Sequence, residues 1–285
     1  MKIQKLKPHI LANKPAGMGK ENIFSESDFV FFIDLIKKAG EKALLLQKTG
    51  LDVQRKEDST IVTDADFLIQ ALLISEISAQ YPDFIFVHEE NFNTDERLIT
   101  DETITVIIDP IDGTAMFSMH LPIWCISIGI FKGFEPLYGF VYSPGSDMLF
   151  HTDNENSYLN NNRLIVDKNI PLDSETNIFC SSEMDFSRIK FPGKIRNLGS
   201  TALHACLTAD NKRNRLLAFT GKSFLWDWAG AIPVSRKAGG NIKYLNGADI
   251  DIKGIIDNGY ALEDYAVIYN SDDFELIKGI FNNIA

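Results

Sequence analysis

Apolar positions along this chain follow two rhythms. Over residues 25–47 they recur at helical spacing (Phe29, Phe32, Ile33, Ile36, Leu44, Leu45). Ser25 with Asp28 three places on is a capping-box-like start, so a helix is expected there. A second helix is expected over 64–80. Residues 84–87 and 103–108 are instead short, almost continuous apolar runs, β-branched or aromatic, which is the pattern of strands buried on both faces. Strands at 125–131, 137–142 and 148–151 follow at hairpin spacing, separated by Lys132-Gly133 and Ser143-Pro144-Gly145. The remainder alternates: strand 177–181, helix 201–210, strand 215–219, helix 227–238, strands 242–245 and 265–269, helix 272–281. Pro233 falls inside the helix begun at Asp227 and is expected to bend it. There is no internal repeat. The alternation predicts an α/β chain folded as a layered sandwich.

Acids stand where three of these elements begin or end. Asp109-Pro110-Ile111-Asp112-Gly113-Thr114 follows the 103–108 strand and offers two carboxylates three positions apart, a proline that turns the chain, and a glycine that admits close approach. Two carboxylates facing one point suit Mg²⁺, which is usually held by few carboxylates, with water and substrate phosphate completing the octahedron. Taken alone, a D-x-x-D-G pattern serves equally as an Asx-type turn bonded to its own amides. His88-Glu89-Glu90 closes the 84–87 strand. Asp227, in Trp226-Asp227-Trp228-Ala229-Gly230, stands where a helix N-cap would, a position that by itself asks only for free amides. In a chain of net charge −11, three such clusters brought together would repel one another unless a cation neutralised them.

Taken in order, these motifs resemble the Mg²⁺-dependent, lithium-sensitive inositol monophosphatase superfamily, from about residue 28 to the C-terminus. Asp109 to Thr114 match its signature at all six positions. Phe86-Val87-His88-Glu89-Glu90 matches its Glu-Glu site, with His88 where glycine is usual. Trp226-Asp227-Trp228-Ala229-Gly230, followed by Ala238-Gly239-Gly240, matches a further signature. Val62-Thr63-Asp64-Ala65-Asp66 matches an earlier acidic motif, and Leu198-Gly199-Ser200-Thr201-Ala202-Leu203 looks like the substrate-side turn.

The resemblance implies a sugar-phosphatase-like α+β layered sandwich (αβαβα) over 25–285, with halves of about 25–165 and 166–285, preceded by an irregular arm over 1–24. It implies two to three Mg²⁺ ions: one on Glu89, Asp109 and the Ile111 carbonyl, a second on Asp109, Asp112 and Asp227, and a looser third near Glu89. Thr114 and Asp66 would orient or deprotonate the attacking water, with Glu90 as a supporting acid. The phosphate would lie on the amides of Gly113 and Thr114, and Gly199, Ser200 and Thr201 would face the substrate. The charged loop 56–59 would fold over the site. Family members are often dimers, so a homodimer is expected on the same ground.

Composition narrows the function further. At 285 residues and 45% hydrophobic, the chain can bury a substantial core. Its negative charge argues against a nucleic-acid polymer as partner, which needs a basic face, and leaves a small phosphorylated metabolite open, since metals would supply the positive charge. The three cysteines, Cys125, Cys180 and Cys206, form no C-x-x-C and have no neighbour that marks a nucleophile, which points to a reduced, cytoplasmic protein. Residues 1–20 hold five lysines but no signal-peptide core, and no run reaches the length of a membrane span. Gly221-Lys222-Ser223 ends like a P-loop, but Leu216 stands where the first glycine is required.

Substrate identity is less legible. Inositol monophosphatases proper place a glutamate shortly before Trp-Asp to bond sugar hydroxyls, and residues 215–222 contain no acid. Phe219 is either a stacking surface or an inward-facing strand residue, and Asn160-Asn161-Asn162 replaces a usual glycine-rich turn. Inositol phosphate, a 3′(2′),5′-bisphosphate nucleotide, histidinol phosphate and sugar phosphates all remain candidates, with a non-catalytic regulatory binding protein as the reading of a different class.

Overall fold

The computed structural model describes residues 23–49, 53–55, 61–90, 99–181, 184–211, 214–221 and 223–281. The loop expected over 56–59 and nearly all of the arm over 1–24 lie outside them. In chain order the elements are α1 (Glu26–Thr49), β1 (Val53–Arg55), β2 (Ile61–Thr63), α2 (Asp64–Gln80), β3 (Ile85–His88), β4 (Ile104–Asp112), α3 (Thr114–Ser118), β5 (Cys125–Lys132), β6 (Glu135–Ser143), β7 (Met148–Thr152), β8 (Ser157–Leu159) and β9 (Asn162–Leu164). There follow β10 (Asn177–Cys180), β11 (Lys194–Arg196), α4 (Thr201–Ala209), β12 (Arg215–Thr220), α5 (Ala231–Ala238), β13 (Asn241–Tyr244), α6 (Ile252–Asp257), β14 (Ala266–Tyr269) and α7 (Phe274–Ile280).

Two sheets organise these pieces. One holds seven strands in the order β3-β4-β5-β6-β7-β8-β9, antiparallel except for β3 beside β4; the other holds five in the order β11-β10-β12-β14-β13. The period of two along each strand decides which layer a side chain joins. On β4, Val106 and Ile108 pack with Phe32, Ile36, Ile69 and Leu73 of α1 and α2, while Ile107 faces the other way, among Ala202, Cys206 and Val234 of α4 and α5. On β14, Ala266 and Ile268 join that same central cluster, and Val267 and Tyr269 join Ile277 and Ile280 of α7 on the outer face. The layers therefore run helix, sheet, helix, sheet, helix, which is the αβαβα sandwich expected. An aromatic group of Phe24, Phe32, Tyr81, Phe84, Tyr138 and Phe140 closes the α1–α2 side.

Three expectations need correction. The chain does not leave the sheet at Pro110: β4 continues to Asp112, pairing Asp109 with Ser127 and Asp112 with Cys125. The second helix of the C-terminal half does not begin at Asp227. Residues Leu225–Asp227 form a short 3₁₀ turn and α5 starts at Ala231, so Pro233 lies in the first helical turn, where a missing N–H breaks no bond and no bend is needed. The asparagine run builds a hairpin that the hydrophobic pattern missed: β8 and β9 pair Leu159 with Asn162 across a two-residue turn. Asn160 takes φ +52° there, a left-handed conformation that asparagine tolerates, and its side chain bonds Leu149 N–H (2.9 Å) and Asp147 C=O (3.0 Å).

Candidate active site

A bulge in β4 creates the acidic centre. Asp109 and Asp112 are three steps apart, which in a regular strand would send them to opposite faces. Their partners Ser127 and Cys125 are two steps apart, so one residue of β4 is extruded and both carboxylates emerge on the same face. Asp109 is 1% exposed, and its Oδ1 accepts the Ile111 N–H at 3.0 Å. β3 runs parallel to β4 with His88 opposite Ile108, and the Glu89 N–H donates to Ile108 C=O (3.3 Å), so Glu89 arrives beside Asp109.

From the other half of the chain comes the Gly199–Thr201 turn. Ser200 Oγ–H donates to Asp112 Oδ2 at 2.5 Å, and the amides of Thr201 and Ala202 donate to its two oxygens at 3.1 and 2.7 Å. Gly113 and Gly199 both have positive φ, +95° and +75°. A Cβ on Gly113 would lie 2.9 Å from the Gly199 carbonyl oxygen, so glycine is what lets the two turns touch. These bonds occupy Ser200 and the Thr201 amide with Asp112, which makes them supports of a carboxylate first.

The electrostatics follow from burial. Desolvation pushes the Asp109 carboxyl well above its ordinary range, and the negative charges of Glu89, Asp112, Asp227 and Asp66 push it further. Asp112 is raised to about 6: burial is the largest cause, opposed by the bonds from Ser200, Ala202, Thr201 and Cys125. Acids from β3, β4, α2 and the Leu225–Asp227 turn thus act on one point, although they are up to 161 positions apart in sequence (Asp66 to Asp227).

Asp66 and Thr114 also meet. Thr114 Oγ–H lies 2.9 Å from the Ile111 carbonyl and 3.4 Å from Asp66 Oδ1, while Asp66 Oδ2 accepts both the N–H and the hydroxyl of Thr63 (2.8 and 2.6 Å). Asp66 is therefore clamped at the start of α2 by a capping box, with its other oxygen turned to Thr114. Glu90 is buried, and its backbone is held by Gln70, whose side chain bonds both its N–H and its C=O at 3.0 Å. His88 Nδ1 lies 2.8 Å from that same Glu90 carbonyl, and burial lowers the ring's pKa, so His88 serves as a hydrogen-bonding support. Asp227 is half-buried at the end of its 3₁₀ turn, where its Oδ2 accepts the Phe224 N–H at 2.8 Å.

Several supports escaped the sequence reading. Gln70 sits one helical turn past Asp66, which was the available signal. His204 bonds the Leu198 N–H through Nε2 (2.8 Å) and stacks on Phe179, pinning the Gly199–Thr201 turn. Cys125 approaches Asp112 Oδ2 (3.6 Å) with a thiol whose pKa burial drives well up, so it is inert as a nucleophile. Phe219 is an inward residue, 1% exposed and stacked on Phe281.

The donor set is all oxygen and strongly anionic, which fits a hard divalent cation and not a soft one. Among the described residues no three His, Cys, Asp or Glu side chains already stand in a geometry ready to hold a metal.

The profile of the inositol monophosphatase family matches residues 26–280. Inositol monophosphatase 1 of Solanum lycopersicum is 31% identical over 234 residues, covering 77% of this chain and 85% of its own. Among solved structures, the Thermotoga maritima IMPase superposes with a TM-score of 0.76 at 25% identity, covering 90% of this chain and 97% of the other. The fold also matches a Staphylococcus aureus inositol monophosphatase II at 22% identity, in structures bound to 2′AMP (TM-score 0.72, covering 90% and 94% of the two chains) and to inositol monophosphate (0.69, 90% and 93%). The chain belongs to the inositol monophosphatase family, whose members use divalent metal ions, and it is a phosphoric monoester hydrolase.

Proposed function

We propose that this enzyme is Mg²⁺-dependent, with two to three ions held by Glu89, Asp109, the Ile111 carbonyl, Asp112 and Asp227, and that it hydrolyses a small phosphate monoester by attack of water. The observation that carries this reading is Asp109: a buried carboxyl raised by desolvation and by four further acids is stable as a carboxylate only beside positive charge. Mg²⁺ held there would lower the pKa of the attacking water and offset charge on the leaving oxygen. The chain's own groups do the positioning. The Thr114 hydroxyl has one proton and two acceptors within reach. In this reading the Thr114 hydroxyl passes its proton to Asp66 Oδ1 as it takes one from the attacking water, so the hydroxide formed is matched by a protonated Asp66 and Thr114 ends as it began. Glu90, fixed by Gln70 and His88, keeps Glu89 in place. The amides of Gly113 and Thr114 are the natural rest for the phosphate; α3 is only five residues long, so the amides themselves matter more than its dipole.

The S. aureus complexes make inositol monophosphate and a nucleoside monophosphate the first substrates to try. The three free, buried cysteines suit a cytoplasmic protein, and among the described residues no helix is long and apolar enough to cross a membrane. A homodimer and lithium inhibition are proposed on family resemblance; sedimentation and a LiCl titration check them. The decisive experiment measures phosphate release from both substrates with and without millimolar Mg²⁺. Turnover only with metal supports the reading, and undiminished turnover in EDTA overturns it.

A further inference from the structure

Phe224 leaves 41% of its surface open, although its own N–H is bonded to the Asp227 carboxylate of the acidic centre. One face of the ring is covered by Trp226, with centroids 4.5 Å apart and planes 7° from parallel. Trp226 is itself 6% exposed and is backed by Tyr260 at 6.2 Å. The stretch that carries the ring is braced along its length. Phe224 forms an antiparallel bridge with Ala261, Leu225 N–H donates to Tyr260 C=O (2.8 Å), and Leu262 N–H donates to Ser223 C=O (2.9 Å). The Leu225–Asp227 turn packs in its turn against β4 and β5. A large apolar ring is thus held on the braced stretch whose backbone bonds Asp227, with the stack already formed on one side. Its exposed surface is unfavourably hydrated until something flat covers it.

The geometry points to the Phe224–Trp226 pair as a stacking platform that selects phosphate monoesters whose alcohol carries a planar, weakly polar ring, such as a nucleoside. A polyol has no flat face to offer, and phenylalanine returns no hydrogen bond to its hydroxyls. This rests on the reading of the acidic centre as the site of phosphate hydrolysis and adds to it what holds the leaving group.

The test compares kcat/KM for adenosine 2′-monophosphate and inositol 1-phosphate, with Mg²⁺, in the wild type, Phe224→Ala and Phe224→Trp. Phe224→Ala should lower the nucleotide-to-inositol ratio about tenfold, mainly through KM for the nucleotide, and Phe224→Trp should restore it. An equal loss on both substrates would mean that the ring only supports the Asp227 turn, and an unchanged ratio would mean that no ligand touches it; either outcome overturns the proposal. A metal-free measurement separates the two layers of argument. Adenosine binding followed by saturation-transfer NMR should be seen with the wild type and lost with Phe224→Ala. Should the wild type hydrolyse neither substrate, the assignment of the acidic centre fails on its own. Absence of Phe224-dependent adenosine binding would still sink the platform.

Discussion

Two stretches bring carboxylates together at Asp109, and they differ in how deeply those carboxylates are sunk in the core. The Asp109–Thr114 segment carries the end of β4, a strand paired on both sides, with β3 and with β5, and Asp112 is tied to a hydroxyl and two amides from 88 to 90 positions away. The Leu225–Asp227 turn is a single 3₁₀ turn that leaves Asp227 half-buried and Phe224 exposed. The first stretch fixes where negative charge must sit, and it does so at the expense of the charge itself, since burial drives both of its carboxyls toward protonation. The second is tied as well, through Leu225 N–H to Tyr260 C=O and the Phe224–Ala261 bridge, but leaves its carboxylate nearer to solvent. The difference teaches that a centre of like charges can combine carboxylates sunk in the core with one kept at its rim.

The largest expected effect tests the buried part. Asp109→Asn keeps the side-chain shape and removes a carboxylate that is 1% exposed, and kcat should fall by about three orders of magnitude or more. Without metal the same variant should melt no lower than the wild type, because it relieves a buried charge. Asp227→Asn should also lose activity, yet regain part of it as Mg²⁺ is raised, since a half-buried carboxylate in the proposed ligand role is expected to contribute mainly to affinity. A titration in which Asp109→Asn recovered with Mg²⁺ and Asp227→Asn did not would reverse the comparison.

Thr114→Ala probes chemistry placed on the same segment as Asp109. It should lower kcat by about a hundredfold, in the range for loss of a proton-positioning group, with Mg²⁺ affinity measured by calorimetry nearly unchanged. Thr114→Ser should recover most of the rate. A large loss of metal affinity in Thr114→Ala would instead mean that the hydroxyl chiefly orders the Ile111 carbonyl.

Much of the buried part could be read from the chain. The run over 103–108 announced β4, and Gly113 announced the turn that ends it, whereas Pro110 pointed to a turn that the pairing with β5 carries past as far as Asp112. The bulge that puts Asp109 and Asp112 on one face could not be read, since it depends on the register of a partner strand. Asp227 was identified as a site residue but placed on the wrong element. A helical apolar pattern extends back over Trp226 and Trp228, and only tertiary bonds, such as Leu225 N–H to Tyr260 C=O, break it into a 3₁₀ turn and α5. His204 was invisible, and Gln70 was signalled only by its spacing from Asp66, for a related reason: a polar residue on an otherwise apolar helix shows its purpose only when its partner across the fold, Glu90 or Leu198, is known.

Ser200→Ala removes the shortest bond to Asp112 while leaving the two amides in place. About a tenfold loss of activity is expected, typical of a group that orients a ligand. The remaining amides should keep the carboxylate within reach, so a loss as large as that of Asp109→Asn would show that the Gly199–Thr201 turn is less firmly built than its bonds suggest. Measured kcat at saturating Mg²⁺ decides this.

The smallest effect on turnover, and the most specific test of how the buried side is braced, concerns His204. Its ring is buried, accepts the Leu198 N–H, and has its pKa lowered to about 4 from 6.5 by desolvation. Between these values the unfolded chain binds a proton that the native state refuses, so stability is highest above pH 6.5 and falls as pH drops toward 4. Between pH 7 and pH 5 the loss amounts to about 2 kcal/mol, or several degrees in Tm. His204→Gln can still accept from Leu198 N–H but does not titrate. Its melting temperature should therefore be lower at pH 7, through lost stacking on Phe179, yet fall less steeply on acidification than that of the wild type, while kcat at pH 7 changes by no more than a few-fold. Parallel Tm-against-pH curves for the two proteins would show that the native His204 ring takes up its proton as readily as the unfolded chain does, which a buried ring accepting the Leu198 N–H would not do.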